Sequence, residues 1–229
     1  MRVLLIASPA GGPPDIANAD ALVLAAPTAA PDWLPALRRG PGAPPLYVRV
    51  APGAPDLDAA LALRPDGIVL PRVADATDLA RLGVRLAVHE AEAGIPDGAT
   101  RIVAGLDGAR ALLRFGGGAG GFPRLAGLFC GFDALAHDLG VATSSEAPPP
   151  APLVQARGLI VLAAAAAGVP AYDAPRPSTD RATALAARRD GFQGGFAETA
   201  EAAALLAEVF RQDPRALGSE PLRRSTDAS

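Results

Sequence analysis

The sequence contains no lysine, one cysteine and two histidines, and each shortage excludes a class of site. Without lysine the chain has no Schiff-base amine, no anchor for pyridoxal phosphate and no Walker lysine. A single cysteine, Cys130, makes an internal disulfide and a cysteine-based zinc cluster impossible. With only His89 and His137, a three-histidine metal site is excluded as well. Arginine and carboxylate side chains are left as the main candidates for chemistry.

Charge and aromatic content argue against a nucleic-acid or membrane partner. The formal net charge is -3, and only Trp33, Tyr47 and Tyr172 are aromatics with a polar group, whereas nucleic-acid-binding domains are basic. The apolar run at residues 1–9 is too short for a signal peptide and predicts a first strand. No segment reaches the ~20 uninterrupted apolar residues of a transmembrane helix. We therefore expect a soluble cytoplasmic protein.

Short apolar runs alternate with amphipathic or alanine-rich stretches along the chain. The predicted strands are residues 3–7, 21–25, 46–50, 67–70, 101–105, 125–130, 169–172 and 191–194. This alternation is typical of parallel strands joined by crossover helices, and eight strands predict an α/β fold of the (β/α)8 TIM-barrel type. The first β/α unit is shortened, with a brief helix at 13–18. We predict one barrel domain over residues 1–213 and a polar C-terminal tail over 214–229.

The third predicted strand carries a candidate anion-binding residue, Arg49. A period of two places Leu46 and Val48 on one face of the strand and Tyr47 and Arg49 on the other. The apolar face must meet the helices, so we expect Arg49 to be buried and to point into the barrel. A buried arginine requires an anionic partner or ligand. Ligand binding and a structural ion pair both satisfy that requirement.

Three further polar residues follow strands, at the end of the barrel where active sites of this fold occur. Arg72 ends the fourth strand and either contacts a substrate or is solvated. Asp107 and Asp133 follow the fifth and sixth strands. Two carboxylates at one rim are able to hold a hard cation such as Mg²⁺, but aspartates at these positions also cap helices, and both interpretations stay open. Cys130 is interpreted as a small buried hydrophobic residue, because no histidine neighbours it in sequence.

Several motifs occur in a specific order between residues 45 and 210. They are PLYVRVAP (45–52), RPDGIVLPRV (64–73), GLFCGFDALAHDLG (127–140), RGLIVL (157–162), AGVPAYD (167–173), GFQG (191–194) and EVF (208–210). In order and spacing they resemble the HpcH/HpaI aldolase and citrate lyase beta-subunit family. The resemblance implies a (β/α)8-type barrel, often oligomeric, that uses a divalent metal and carbonyl or acyl-CoA substrates. It agrees with the absence of lysine, because a lyase without a Schiff base must stabilise its enolate with a metal.

Matched position by position, the resemblance assigns roles to some residues and shows that other functional residues of the family are missing from this sequence. Arg49 matches the family's substrate-binding arginine. Asp107 falls where the family has a metal-binding glutamate, and it is one methylene shorter. The family's metal-binding aspartate falls on Ala134, and Asp133 is the acidic residue one position earlier. The acidic cluster after the second strand reads LAAPT at 24–28, and the lysine and histidine near the eighth strand are also missing.

Two functions are compatible with these residues. The first is a metal-dependent carbon–carbon lyase acting on a 2-oxo acid or a 3-hydroxyacyl-CoA, with Mg²⁺ held by Asp107 and Asp133 and the substrate held by Arg49 and Arg72. The second is a non-catalytic homologue that binds a small anionic ligand or a protein partner. The retained Arg49 and Asp107 favour the first, and the missing acids favour the second. A displaced aspartate predicts weak Mg²⁺ binding, and the resemblance implies a homo-oligomer.

Overall fold

Eight parallel strands close into a barrel in chain order, with β1 paired to β8. The strands are β1 Val3–Ala7, β2 Ala21–Ala25, β3 Leu46–Arg49, β4 Gly67–Leu70, β5 Arg101–Gly105, β6 Leu125–Cys130, β7 Ala171–Asp173 and β8 Gly194–Ala197. The computed structural model describes residues 1–25, 29–40, 42–51, 57–115, 121–142, 148–174 and 179–211. The predicted (β/α)8 barrel is confirmed. The predicted tail lies outside the described residues, and the single-domain boundary stays a prediction.

Helices surround the barrel on its outer side. They are α1 Leu34–Arg39, α2 Leu57–Ala62, α3 Ala76–Ala93, α4 Ala109–Phe115, α5 Phe132–Leu139, α6 Ala151–Ala167, α7 Arg181–Arg189 and α8 Ala200–Arg211. Within the described ranges, no helix is long and apolar enough to cross a membrane.

The first β/α unit has no helix, so the short helix predicted at 13–18 is wrong. Residues 8–20 are all described and form a loop. Pro13 and Pro14 supply no backbone N–H, and the Asp15 carboxylate accepts the N–H of Ala17 at 3.0 Å. A segment this short also lacks the length that helix propagation needs.

The strands β7 and β8 begin two and three residues later than predicted, for one shared reason. Gly168 and Gly191 have φ of 67° and 103° and follow the ends of α6 and α7. The next residues, Val169 and Phe192, donate their N–H groups back to helix carbonyls at 3.0 and 3.1 Å. Val169 and Phe192, whose apolar side chains predicted strand, therefore belong to the turns that end α6 and α7.

Aromatic rings pack inside the barrel. Four of them belong to the buried interior cluster: Tyr47, Phe129, Tyr172 and Phe196. The ring centroids of Phe129 and Phe196 are 5.0 Å apart in an edge-on arrangement. Glycines make room for the tyrosines, because a β carbon at Gly67 or Gly127 would lie 2.2 Å from the ring of Tyr47 or Tyr172. The interior is a packed core, and a ligand site is expected at the carboxyl ends of the strands.

A buried ion pair ties α3 to the opposite, amino-terminal end of the barrel. Glu90 of α3 is fully buried and its carboxylate accepts hydrogen bonds from the N–H groups of Thr100 (2.7 Å) and Gly98 (2.9 Å). Arg124, which directly precedes β6, donates to the same carboxylate at 2.8 Å. Burial alone would raise the pKa of Glu90, but Arg124 and the backbone donors lower it to about 2. Residues at this end of the fold serve stability.

Candidate functional site

Arg49 lies at the carboxyl end of β3, where the strand reaches the open end of the barrel. Its Cα pairs with Ala25 on β2 and Val69 on β4, and both Val69 and Tyr47 belong to the interior cluster. Alternation along the strand therefore puts Arg49 on the inner side, as predicted. The predicted burial is wrong, because Arg49 is exposed. The strand ends at this residue, so its side chain leaves the packed interior at the rim.

The guanidinium of Arg49 is exposed and is free to bind a ligand. It forms no hydrogen bond or ion pair with another described residue. The alternative of a structural ion pair therefore finds no support in the described part of the chain. An inward-facing cation above an apolar floor is a place where a small anion is able to bind.

Arg72 contributes its backbone to the rim. It lies two residues after the end of β4 and has φ of 53°, the left-handed region that costs a non-glycine residue about 1–2 kcal/mol. Its N–H donates to Oδ2 of Asp107 at 2.9 Å, which holds this strained conformation. Its side chain is exposed, as the solvated alternative predicts. Substrate binding by the Arg72 guanidinium stays a prediction.

Asp107 is buried, with 6% of its surface exposed, and it joins three loops. While Oδ2 accepts the Arg72 N–H, Oδ1 accepts the N–H of Gly131 after β6. Two glycines leave room for the carboxylate, since a β carbon at Gly105 would lie 2.9 Å from Oδ2 and one at Gly131 would lie 3.1 Å from Oδ1. The Asp107 side chain thus fastens the loops after β4 and β6 onto the end of β5.

Asp107 does not cap the helix that follows it, so that interpretation is wrong. The first N–H of α4, on Ala109, donates instead to Oδ2 of Asp138 at 2.9 Å. Asp138 lies on α5, 29 residues along the chain, and no local sequence signal points to this contact. Asp133 does not cap α5 either, because the N-cap is Gly131 and no side chain caps this helix end. Asp133 is exposed in the first turn, where a negative charge suits the helix dipole.

Asp107 and Asp133 do not fit a strong magnesium site. Magnesium requires oxygen ligands directed at one point in near-octahedral geometry. Each oxygen of Asp107 accepts a backbone N–H, which turns the carboxylate towards the loops after β4 and β6 and leaves one lone pair per oxygen, and Asp133 is exposed. Among the described residues, no group of three or more histidine, cysteine or acidic side chains is placed to hold a metal.

Cys130 is a buried core residue, as the sequence interpretation proposed. It is 1% exposed and packs in the layer between strands and helices. Burial, together with the negative charge of Asp107, raises the pKa of the Cys130 thiol to about 12. The thiol is therefore neutral near pH 7 and is a poor nucleophile.

Sequence reasoning missed a second charge pair, which joins α6 to the carboxyl end of β7 and is largely shielded from solvent. Arg157 of α6 donates to Oδ1 of Asp173, at the end of β7, at 2.9 Å. The Arg157 Cζ lies 4.7 Å from the ring centroid of Phe192 and 5.3 Å from that of Phe132, which begins α5. A single arginine in an otherwise uncharged helix was the signal that could have identified it.

A surface cavity of about 410 Å³ lies away from these residues. It is lined by Asn18, Ala204, Ala207, Glu208 and Arg211, on α8 and the loop before β2. The missing first helix leaves this part of α8 open. The cavity has no part in the chemistry of the rim.

Comparison with known proteins gives one family. The model for HpcH/HpaI aldolase/citrate lyase matches residues 20–211. Similar solved structures include RipC from Yersinia pestis, with 22% identity over 94% of this chain and 97% of that chain and a TM-score of 0.70. The magnesium and glyoxylate complex of Haloferax volcanii malate synthase has 18% identity over 100% of this chain and 77% of that chain, with a TM-score of 0.69.

The citrate lyase beta subunit from M. tuberculosis, complexed with oxaloacetate and magnesium, is also similar. It has 19% identity over 92% of this chain and 96% of that chain, with a TM-score of 0.66. No curated protein matches the sequence. At these identities the structural likeness shows the barrel fold.

Proposed function

The chain belongs to the HpcH/HpaI aldolase/citrate lyase family, and on that premise we propose that it binds a small carboxylate, or the acyl end of an acyl-CoA, at the open end of the barrel. Arg49 is the residue that carries this proposal, because it is inward-facing and exposed at the rim. The proposal includes no metal-dependent turnover, because Ala134 stands at the family's second metal-ligand position and no group of three or more histidine, cysteine or acidic side chains is placed to hold a metal among the described residues.

The chemistry of the rim suits a carboxylate. An arginine guanidinium is planar and offers two parallel N–H donors that match the two oxygens of a carboxylate. Tyr47 and Val69, on the same inner side, are buried in the packed interior, so the ligand meets the guanidinium at the rim and does not enter the barrel. Water still reaches Arg49, so a simple carboxylate is expected to bind weakly.

Titration calorimetry with pyruvate and oxaloacetate tests the proposal. We expect Arg49→Gln to weaken binding about tenfold or more, a loss of about 1.4 kcal/mol. The matched control is Arg81→Gln, since Arg81 is also exposed but lies on α3 outside the rim. Equal affinities in wild type and Arg49→Gln would refute the assignment. An increase of about tenfold in affinity on adding Mg²⁺ would refute the metal-free part.

A second candidate is the Mg²⁺-dependent carbon–carbon lyase activity of the family. The family match over residues 20–211 favours it. Ala134 is exposed in the first turn of α5, beside Asp133, so an aspartate introduced there meets no packed neighbour. Assays of retro-aldol and of citryl- and malyl-CoA cleavage separate the two functions. Wild-type activity that is lost in Asp133→Ala supports the lyase. Activity only in Ala134→Asp, or in no variant, supports carboxylate binding without turnover.

A further inference from the structure

The strand ends at the mouth of the barrel are apolar apart from Arg49. All eight strands are described in full, and alternation identifies the last side chain on each strand that faces the inside. On β3 this residue is Arg49, and on β1 and β2 it is Ile6 and Ala25. On the other five strands it is apolar, aromatic or glycine: Val69, Gly105, Phe129, Tyr172 and Phe196. The Tyr172 hydroxyl is directed to the amino-terminal end, where it donates to the Met1 carbonyl at 3.4 Å. Arg49 is therefore the one charged residue at these eight positions.

Ile6 and Ala25 continue the surface of Arg49 across β2 and β1. Ala25 pairs directly with Arg49, and Ile6 pairs with Val23, two residues before Ala25 on the same inner side of β2. Both side chains are partly exposed, whereas Val69, on the β4 side of Arg49, is 1% exposed. The cation thus has open apolar surface on one side, towards β1. The surface formed by Arg49, Ala25 and Ile6 is called the mouth strip below.

The mouth strip has one anchor for a charged group and apolar side chains beside it. Neither Ala25 nor Ile6 has a side-chain donor or acceptor. A second carboxylate or a hydroxyl laid against them would lose water without gaining a hydrogen bond, which lowers affinity. An alkyl group in the same place removes apolar surface from water on both partners. Arg72, the other rim arginine, follows β4 on the opposite side of Arg49 from Ala25, so a ligand extended over the strip is turned away from it.

We propose that the ligand held by Arg49 is a monocarboxylate with a short, branched apolar body, of the class of branched-chain carboxylic and 2-oxo acids. Its carboxylate pairs with the guanidinium, and its alkyl group covers Ala25 and Ile6. From β3 to β1 is two strand spacings, about 10 Å, which is wide enough for a branched alkyl group of a few carbons. This inference rests on the carboxylate binding proposed above and adds the class of ligand.

Titration of three 2-oxo acids, followed by ligand-observed NMR, tests the class of ligand. A methylene that becomes fully buried raises affinity about fourfold. The mouth strip covers one side of the ligand, so we expect about twofold for each added carbon. 4-Methyl-2-oxopentanoate, which has three more carbons than pyruvate, should therefore bind about tenfold tighter than pyruvate. 2-Oxoglutarate, in which a second carboxylate replaces the branched end, should bind no tighter than pyruvate.

The possible results separate this inference from the carboxylate binding on which it rests. Equal affinities for the three acids, all weakened by Arg49→Gln, would support the carboxylate site and overturn the apolar class of ligand. Tighter binding of 2-oxoglutarate than of 4-methyl-2-oxopentanoate would also overturn the apolar class, and would direct the ligand towards Arg72. No binding of any of the three acids, or binding that Arg49→Gln leaves unchanged, would overturn both.

Substitutions in the mouth strip test its contact with the alkyl group. Ala25→Ser and Ile6→Thr each place a hydroxyl in the strip, and the matched control is Val84→Thr, since Val84 is 66% exposed on α3. The readout is the ratio of the affinities for 4-methyl-2-oxopentanoate and pyruvate, because a loss of folded protein lowers both affinities and leaves their ratio unchanged. We expect each strip variant to lower the ratio about threefold or more and the control to leave it unchanged. A wild-type ratio in both strip variants overturns the proposal.

Discussion

Replacing Asp107 with asparagine is expected to loosen the rim of the barrel, because its carboxylate fastens loops together. The carboxylate accepts one N–H from Arg72 and one from Gly131. An asparagine keeps one acceptor oxygen, but its amide nitrogen is a donor and would face the other backbone donor. One N–H group therefore loses its partner. Asp107→Ala removes both acceptors.

The size of the effect follows from these two bonds. A hydrogen bond to a charged acceptor contributes about 1.5–3 kcal/mol. Releasing Arg72 from its left-handed conformation returns about 1 kcal/mol. We therefore expect Asp107→Asn to lower the free energy of unfolding by about 2 kcal/mol and Asp107→Ala by about 3–4 kcal/mol. For a domain of this size, 2 kcal/mol corresponds to a Tm lower by about 4–8 °C.

Urea denaturation followed by circular dichroism measures this difference, with Asp133→Asn as the matched control. Asp133 is exposed, so its replacement is expected to change the free energy of unfolding by less than about 0.5 kcal/mol. An Asp107→Asn protein that is as stable as wild type but has lost a Mg²⁺-induced rise in Tm would contradict this role and would make Asp107 a metal ligand.

Three further outcomes test the packing around the site. The folded-state pKa of Glu90 is lowered from 4.5 to about 2. Its ionised form therefore contributes about 3 kcal/mol to the free energy of unfolding above pH 4.5, and this is lost as the pH falls towards 2. Glu90→Gln should flatten that part of a series of unfolding free energies measured against pH. Gly127→Ala, whose β carbon would lie 2.2 Å from the Tyr172 ring, should cost about 1–3 kcal/mol in urea denaturation and be partly rescued by Tyr172→Leu. Arg157→Lys should cost about 1–2 kcal/mol by calorimetric Tm, since lysine keeps the charge but not the planar stacking; an unchanged Tm would contradict this role.

Much of the fold was predictable because periodic patterns report local geometry. The strands β1, β2, β4, β5 and β6 have the predicted bounds, since each is a short apolar run between clear turn signals. The register of β3 was predictable too, because alternation alone places Arg49 on the inner side. The starts of β7 and β8 were not, since Val169 and Phe192 look like strand residues until the preceding helix end claims their N–H groups.

Residue type and spacing along the chain were enough to predict the barrel, the inward face of Arg49 and the missing acids. The role of Asp107 is visible only in the folded chain. Its partners, Arg72 and Gly131, are 35 and 24 residues away along the chain, and no local pattern reports such a distance. The same holds for the exposure of Arg49. Exposure depends on which elements end or pack nearby, and only the closed barrel sets that.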